Sequence, residues 1–234
     1  MAKLGGTKHL KRIAVPKSVF LNDRKEKTFL AKSMPGPHSQ KLSLSLGVLL
    51  RDILKIASTG REIKRVLDDR MVTVDGRIIT DFDFPVGIMD VVKLAKLNKT
   101  YRILVDSKAR FFPKEVSESD GQKKLAKVVK KYVANGKLAI TTHDGHTMLA
   151  NNDVHVGDTL SLSLPDYKIA HLLKLENGVR CMVTEGKHAG NIATLKEIIK
   201  RKDGKHAEAL LSGKDGDFIT VAQYLFVVDK EFAV

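Results

Sequence analysis

From Leu46 the apolar positions Leu46, Leu49, Leu50, Ile53, Leu54 and Ala57 recur at helical spacing, while Arg51 and Lys55 stand one turn apart on the other face. The spacing predicts a helix that is half core and half basic surface. Thr59-Gly60-Arg61-Glu62 has the form of a capping box, its Thr hydroxyl placed to accept an orphan amide and Glu62 to reach back to the cap. A second helix is predicted to start there. Ile63, Val66 and Leu67 form its apolar side, and Arg61, Lys64 and Arg65 cluster near the free amides of the helix start, a corner suited to phosphate. Val72, Val74 and Ile78 flank Asp75-Gly76, a dipeptide that readily takes the positive φ angles of a tight hairpin, so two short strands follow, with Arg77 just past the turn.

The rest of the chain reads mainly as strands. Leu160, Leu162 and Leu164 alternate with Thr159, Ser161 and Ser163, the period-two signature of a strand with one buried face, and residues 101–105 and 138–142 look similar. Asn135-Gly136, Asp144-Gly145 and Gly157-Asp158 mark turns at the spacing of a small antiparallel barrel or sandwich. Residues 179–183 predict a strand, 184–190 a tight turn, and 192–195 a returning strand. Gly186 and Gly190 bend that turn and permit close backbone approach to a partner, with Lys187 and His188 at its tip. Asp215-Gly216 suggests one more hairpin, and residues 224–228 a closing strand. The lysines Lys123, Lys124, Lys127, Lys130 and Lys131, interleaved with Leu125, Val128 and Val129, fit a short helix or a strand; the simpler reading is a solvated face, the alternative a further phosphate contact.

Charge sharpens the picture. The 234 residues carry a formal +14, which suits a polyanion, and no apolar run approaches the length of a bilayer span, so nucleic acid is favoured over membrane. Residues 1–41 hold ten Lys or Arg against Asp23 and Glu26, more than half of the excess. With Pro16, Pro35 and Pro37 and little periodicity, this segment is expected to lack a core of its own, to be ordered only by its partner, and to thread as an extended basic arm between RNA helices. No apolar core follows its charges, so it does not read as a secretory signal. In 171–234 ten basic residues face nine acidic ones, which points to local contacts rather than a broad field.

Candidate chemistry is sparse. A single cysteine, Cys181, excludes an internal disulfide framework and a multi-cysteine zinc site. His143 and His146 bracket Asp144-Gly145 and read as a hairpin corner rather than metal ligands. Asp68, Asp69 and Asp75 are explained by turn chemistry, there is no Walker-type loop, and no long alternating βα pattern suggests a methyltransferase. No catalytic residue, cofactor, metal or small-molecule substrate is expected.

The stretch SLGVLLRDILKIASTGREIKRVLDDRMVTVDGRIITDFDFPVGIMDVVKL resembles the S4 RNA-binding domain, two helices and a strand pair that form an L-shaped surface for structured RNA. Residues 178–195 resemble a KOW motif. Taken in order, KHLKRIAVPKS, SMPGPHS, the S4-like module, a β-rich middle and CMVTEGKHAG look almost end to end like ribosomal protein S4e, a family of archaeal and eukaryotic small subunits. The end at Glu231-Phe232-Ala233-Val234, without a basic tail, and the loop GKHAG favour an archaeal-type member. The resemblance implies an α+β multidomain chain: a basic arm over 1–41, an S4-like domain over 42–97, a β-rich domain over 98–170 and a small KOW-like barrel over 171–234. It implies a cytoplasmic, ribosome-bound structural protein whose partners are small-subunit rRNA and neighbouring ribosomal proteins. The expected RNA-binding residues are Lys3, Lys8, His9, Lys11, Arg12, Lys17, Arg51, Lys55, Arg61, Lys64, Arg65, Arg77, Lys187 and His188. Two positions depart from the family pattern. Ala109 stands where relatives tend to carry Gly, which suggests a turn made without positive φ, and Glu185 sets a negative charge beside Lys187. The rival readings are a KOW- or S4-containing RNA chaperone or assembly factor, and an RNA-modifying enzyme holding RNA through an S4-like module.

Overall fold

The computed structural model describes residues 9–21, 23–134, 136–201, 204, 206–213, 216–229 and 232. The architecture is α+β, with short helices and several antiparallel sheets. The chain divides into two compact units, residues 1–103 with 110–116 and residues 104–109 with 117–234.

In the first unit, β1 (Leu10–Lys11) and β2 (Phe29–Leu30) pair antiparallel. For the described residues of 9–41 the expectation that only a partner orders the segment is not met, while residues 1–8 lie outside the described residues. Val15, Val19 and Leu30 are buried, and they line a small cavity together with Leu44, Ser45 and Val48, so the segment uses the apolar surface that follows it in sequence. Next come β3 (Ser43–Ser45) and α1 (Leu46–Val48). α1 keeps its pitch for only a turn, then widens over Leu49–Ile53, where the Leu54 amide donates to the Leu49 carbonyl at 2.9 Å. Leu46, Leu49 and Leu50 are fully buried, while Ile53, Leu54 and Ala57 are only half-buried. Lys55 lies beyond the helix end at φ +53°, so it is not one turn below Arg51 as the spacing predicted; the widened turn ends the helix first. Gly47 is required here, since a Cβ would fall 2.3 Å from the Phe82 ring.

Then follow α2 (Gly60–Asp68), β4 (Val72–Val74), β5 (Arg77–Ile78), β6 (Pro85–Gly87), β7 (Val91–Leu94), β8 (Lys99–Val105) and β9 (Phe111–Val116). β3 pairs with β6, and the remaining strands form a sheet ordered β5-β4-β7-β8-β9. The β4–β5 turn has Asp75 at φ +51° and Gly76 at φ +79°, the conformation the sequence predicted. The Pro-Gly-Pro-His segment is tied to the fold by a buried pair: His38 Nε2 lies 2.9 Å from Asp90 Oδ2, which also accepts the Gly87 amide.

In the second unit, β10 (Lys123–Ala134), β11 (Lys137–Thr142), β12 (Thr147–Leu149), β13 (Thr159–Ser163) and β14 (Lys168–Leu173) form a sheet ordered β12-β11-β10-β13-β14. The lysine run is thus a strand. β10 pairs with β13 through its first half and with β11 through its second, the register shifting between Val128 and Lys130. Ala126, Val128, Ile140, Val154, Leu160 and Leu162 make the core. β13 was expected to expose one face, but Thr159 and Ser161 are buried as well. The second sheet consists of β15 (Arg180–Val183), β16 (Ile192–Ile199), β17 (Glu208–Gly213), β18 (Gly216–Val221) and β19 (Leu225–Val227), ordered β18-β17-β16-β15-β19. Its core includes Cys181, Val183, Leu195, Leu211, Leu225 and Val227. Of the predicted turns, Asn135 and Asp215 lie outside the described residues.

Ala109 corrects the sequence expectation. It adopts φ +57°, with its amide donating to the Asp106 carbonyl at 2.8 Å, so the turn takes the left-handed conformation despite the methyl group, at a cost of about 1–2 kcal/mol.

Candidate nucleic-acid interface

α2 owes its start to the capping box. The Thr59 hydroxyl accepts the Glu62 amide at 3.3 Å, and Glu62 Oε2 accepts the Thr59 amide at 3.2 Å and the Ser58 amide at 3.1 Å. Ile63 and Leu67 are buried and Val66 half-buried, which turns Arg61, Lys64 and Arg65 to solvent. The helix corner expected to attract phosphate already holds a carboxylate: Glu62 sits on the Ser58 and Thr59 amides just ahead of the first turn, and the bond from the Thr59 backbone keeps its pKa below the usual carboxylate range. An incoming phosphate therefore meets the three basic side chains with this carboxylate beside them. Lys64 also acts on Asp83, whose carboxyl is pushed up by burial while the lysine charge pulls it down. Arg70, exposed at φ +56° just past α2, adds a basic group to the helix exit that the sequence reading omitted; its signal was its place two residues beyond Asp68.

Arg12 and Arg51 have different surroundings. Arg12 is only 3% exposed. Its Nε donates to the Asp23 carbonyl at 2.7 Å, its Nη2 to Glu26 Oε2 at 3.2 Å, and its Nη1 lies 3.9 Å from Asp52 Oδ2. Arg51 makes a two-pronged bond to the same Asp52, both contacts at 2.9 Å, and this pairing raises its pKa further. Asp52 is thus the organiser that sequence reasoning missed, and it engages two of the expected phosphate ligands within the protein. The signal was Asp52 beside Arg51, but the distant Arg12 gave none.

Of the other expected residues in this unit, Lys3 and Lys8 lie outside the described residues. His9, Lys11 and Lys17 are exposed, and the His9 ring is tilted 5.5 Å from that of Phe29. Lys55 and Arg77 are exposed too.

In the second unit the turn between β15 and β16 forms as predicted, with Gly186 at φ +91° and Gly190 at φ +78°. The close approach that Gly190 permits is to the chain itself: a Cβ there would lie 2.6 Å from the Asp106 carbonyl carbon. Lys187 is exposed, whereas His188 is half-buried and stacks on Phe218 with centroids 4.3 Å apart. Behind the turn, Lys127 Nζ donates to the Gln223 carbonyl at 2.6 Å, and burial lowers its pKa to about 8, with Cys181 and Glu185 pulling it back up. The Cys181 thiol is pushed up to about 12 by burial, which removes it from thiolate chemistry. Among the described residues no group of three or more His, Cys, Asp or Glu could hold a metal, and no helix is long and apolar enough to cross a membrane.

Comparison with known proteins gives consistent matches. The profile of the ribosomal family S4e matches residues 97–169, and that of the RS4NT (NUC023) domain matches residues 4–41. A small ribosomal subunit protein eS4 from Methanosphaera stadtmanae is 38% identical over 232 residues, covering 99% of this chain and 96% of the relative. The eS4 protein of Methanocaldococcus jannaschii is also 38% identical, over 99% of this chain and 98% of its own. The crystal structure of the 30S ribosomal protein S4e from Thermoplasma acidophilum superposes with a TM-score of 0.70 at 30% identity, covering 81% of this chain and 96% of that one.

Proposed function

The chain belongs to the ribosomal family S4e, and from that premise we propose that it is a non-catalytic structural constituent of the small ribosomal subunit, binding its rRNA through phosphate and shape contacts. The observation that carries the mechanism is the exposed trio Arg61, Lys64 and Arg65, held in one orientation by a capped helix with a buried apolar side. Structured RNA hides its major groove from side chains, so a rigid cationic face acts on backbone and shape rather than on base edges. Residues 42–97 serve as an S4-like module and 171–234 as a KOW-like domain, with the β-rich stretch 98–170 between them, of which β8 and β9 complete the sheet of the first unit. Lys11, Lys17, Lys55, Arg77 and Lys187 extend the contact. Arg12 supports it from within, bracing the basic segment internally through Glu26 and facing Asp52, which Arg51 holds in place. The protein resides in the cytoplasm, in the ribosome, beside other small-subunit proteins.

Sedimentation of a cell extract through sucrose in high salt, followed by RNA crosslinking and fragment sequencing, tests this. One copy per small subunit, with small-subunit rRNA fragments attached to residues 9–41 and 61–77, is the expected result. Free migration, or crosslinks mainly to other RNAs, would establish the chaperone or assembly-factor reading instead. In a purified system with about six phosphates engaged, log K falls with log salt at a slope near −4 to −5.

A further inference from the structure

The distal half of β10 carries a surface that none of the foregoing uses. Register places Lys130 opposite Thr141, Tyr132 opposite Ala139 and Ala134 opposite Lys137, and on the next strand Leu149 opposite Ala139. Directly paired residues point to the same side of a sheet, and side chains alternate along each strand. Lys130, Tyr132, Lys137, Ala139, Thr141 and Leu149 therefore share one face. The opposite face carries Ile140, which is fully buried in the core, and toward the strand end Val133, which is 69% exposed, so the face with Tyr132 is turned away from the core and the end of the ribbon is open on both sides.

On that face Tyr132 is 43% exposed and Leu149 61%, while Ala139 between them is 3% exposed and has no side chain to rise above the sheet. Ala139 is thus covered by its neighbours, and the row presents a continuous surface with an aromatic ring on one side. Lys130 and Lys137 stand on either side of the ring along the strand direction, each about 7 Å of strand away, and both are exposed. Between Gly121 and His143 the sequence has six lysines and no Asp or Glu. Two of the six, Lys124 and Lys127, are directed inward, and Lys131 Nζ donates to the Asn152 carbonyl at 2.9 Å.

An exposed aromatic flanked by cations, with no carboxylate in the rows that form the face, fits a stacked base and its phosphates. A protein interface fits less well, because lysines are depleted there. We propose that the outward face of the β10–β11–β12 ribbon is a stacking site for an unpaired base of rRNA, with Tyr132 against the base and Lys130 and Lys137 on the adjacent phosphates. The inference rests on the reading of the partner as small-subunit RNA.

The chain contains no tryptophan, so Tyr132→Trp in the full-length protein gives a single indole whose emission reports stacking directly. With an in vitro transcript of small-subunit rRNA as the probe, binding is followed in parallel by mobility shift. The expected result is quenching of the indole along the same isotherm as the shift. In the same assay Tyr132→Ala weakens binding roughly fivefold or more and Tyr132→Phe does not. Lys130→Ala with Lys137→Ala flattens the salt slope by about 1.4. Normal rRNA binding with unchanged emission and an unaffected Tyr132→Ala variant overturns this site and leaves the proposed function standing. Emission that changes only when small-subunit proteins are added overturns it in favour of a protein occupant. Failure of the unsubstituted protein to bind the transcript overturns both.

Discussion

α2 and β10 each interleave basic and aliphatic residues at similar density, and the fold uses them in opposite ways. In α2 the period of 3.6 sends Ile63 and Leu67 inward and leaves Arg61, Lys64 and Arg65 together in water. In β10 the period is two, neighbours flank the strand on both sides, and a shift in register follows Val128. Lys124 therefore ends 1% exposed, its Nζ 2.9 Å from Asp144 Oδ2, and Lys127 is drawn behind the β15–β16 turn. The count of lysines in a segment does not give the field it presents. The element they fall on decides which face solvent and which are structural.

Removing one member of the buried pair breaks this contrast most sharply. Lys124→Ala should lower stability by about 3–5 kcal/mol in urea unfolding, because Asp144 is left as an uncompensated buried charge. Arg61→Ala, Lys64→Ala and Arg65→Ala should each stay within about 0.5 kcal/mol. Burial pushes the Asp144 carboxyl up, but the charges of Lys124 and His143 and the bonds from Thr142 and Lys124 outweigh it and hold the group well below the usual carboxylate range. The pair's contribution is therefore present above the unfolded carboxylate pKa of about 3.9 and is lost as pH falls toward the lowered value. Acid titration of Lys124→Ala should lack that component.

RNA binding should separate the two regions in the reverse sense. Reversing charge at Arg61, Lys64 and Arg65 together should weaken rRNA binding several tens-fold and flatten the salt slope by about 2.7, with the circular dichroism spectrum unchanged. Lys124→Ala, assayed at a temperature where it is folded, should keep the parent slope. A triple variant with normal affinity would place the contact on another face.

The smallest effect concerns Lys127. Its folded pKa, lowered to about 8, lies under the unfolded value near 10.4, so between these limits the unfolded chain binds more protons and stability gains with rising pH through this group. Urea midpoints from pH 8 to 10 should show this gain in the parent and its loss in Lys127→Gln.

What could be read from sequence was what neighbouring residues decide. The Thr59 cap, the inward side of α2, the Asp75-Gly76 turn and the strand, turn and strand expected over 179–195 all formed, the last strand running on to Ile199. Contacts between residues far apart in the chain left no trace in the pattern. Nothing around Arg12 signals Asp52, forty positions on, and nothing around Lys124 signals Asp144. Helical spacing after Leu46 was visible, yet the widened turn that strands Lys55 was not, since it changes which carbonyl an amide reaches and not which residues are apolar. At Ala109 the error came from treating residue type as conformation, because hydrogen bonding to Asp106 holds an alanine where glycine would rest more easily.

Asp52 lies between two arginines from segments far apart in the chain, and this bears on the entropy of assembly. Ordering a free backbone consumes about 1–2 kcal/mol per residue, so a loose polybasic tail must surrender much of its attraction to RNA simply to stop moving. Here the Arg12 anchor and the buried Val15, Val19 and Leu30 meet that requirement during folding. Exposed Lys11 and Lys17 are thereby carried on a backbone that folding has already ordered, so the phosphate contact proposed for them loses less to entropy.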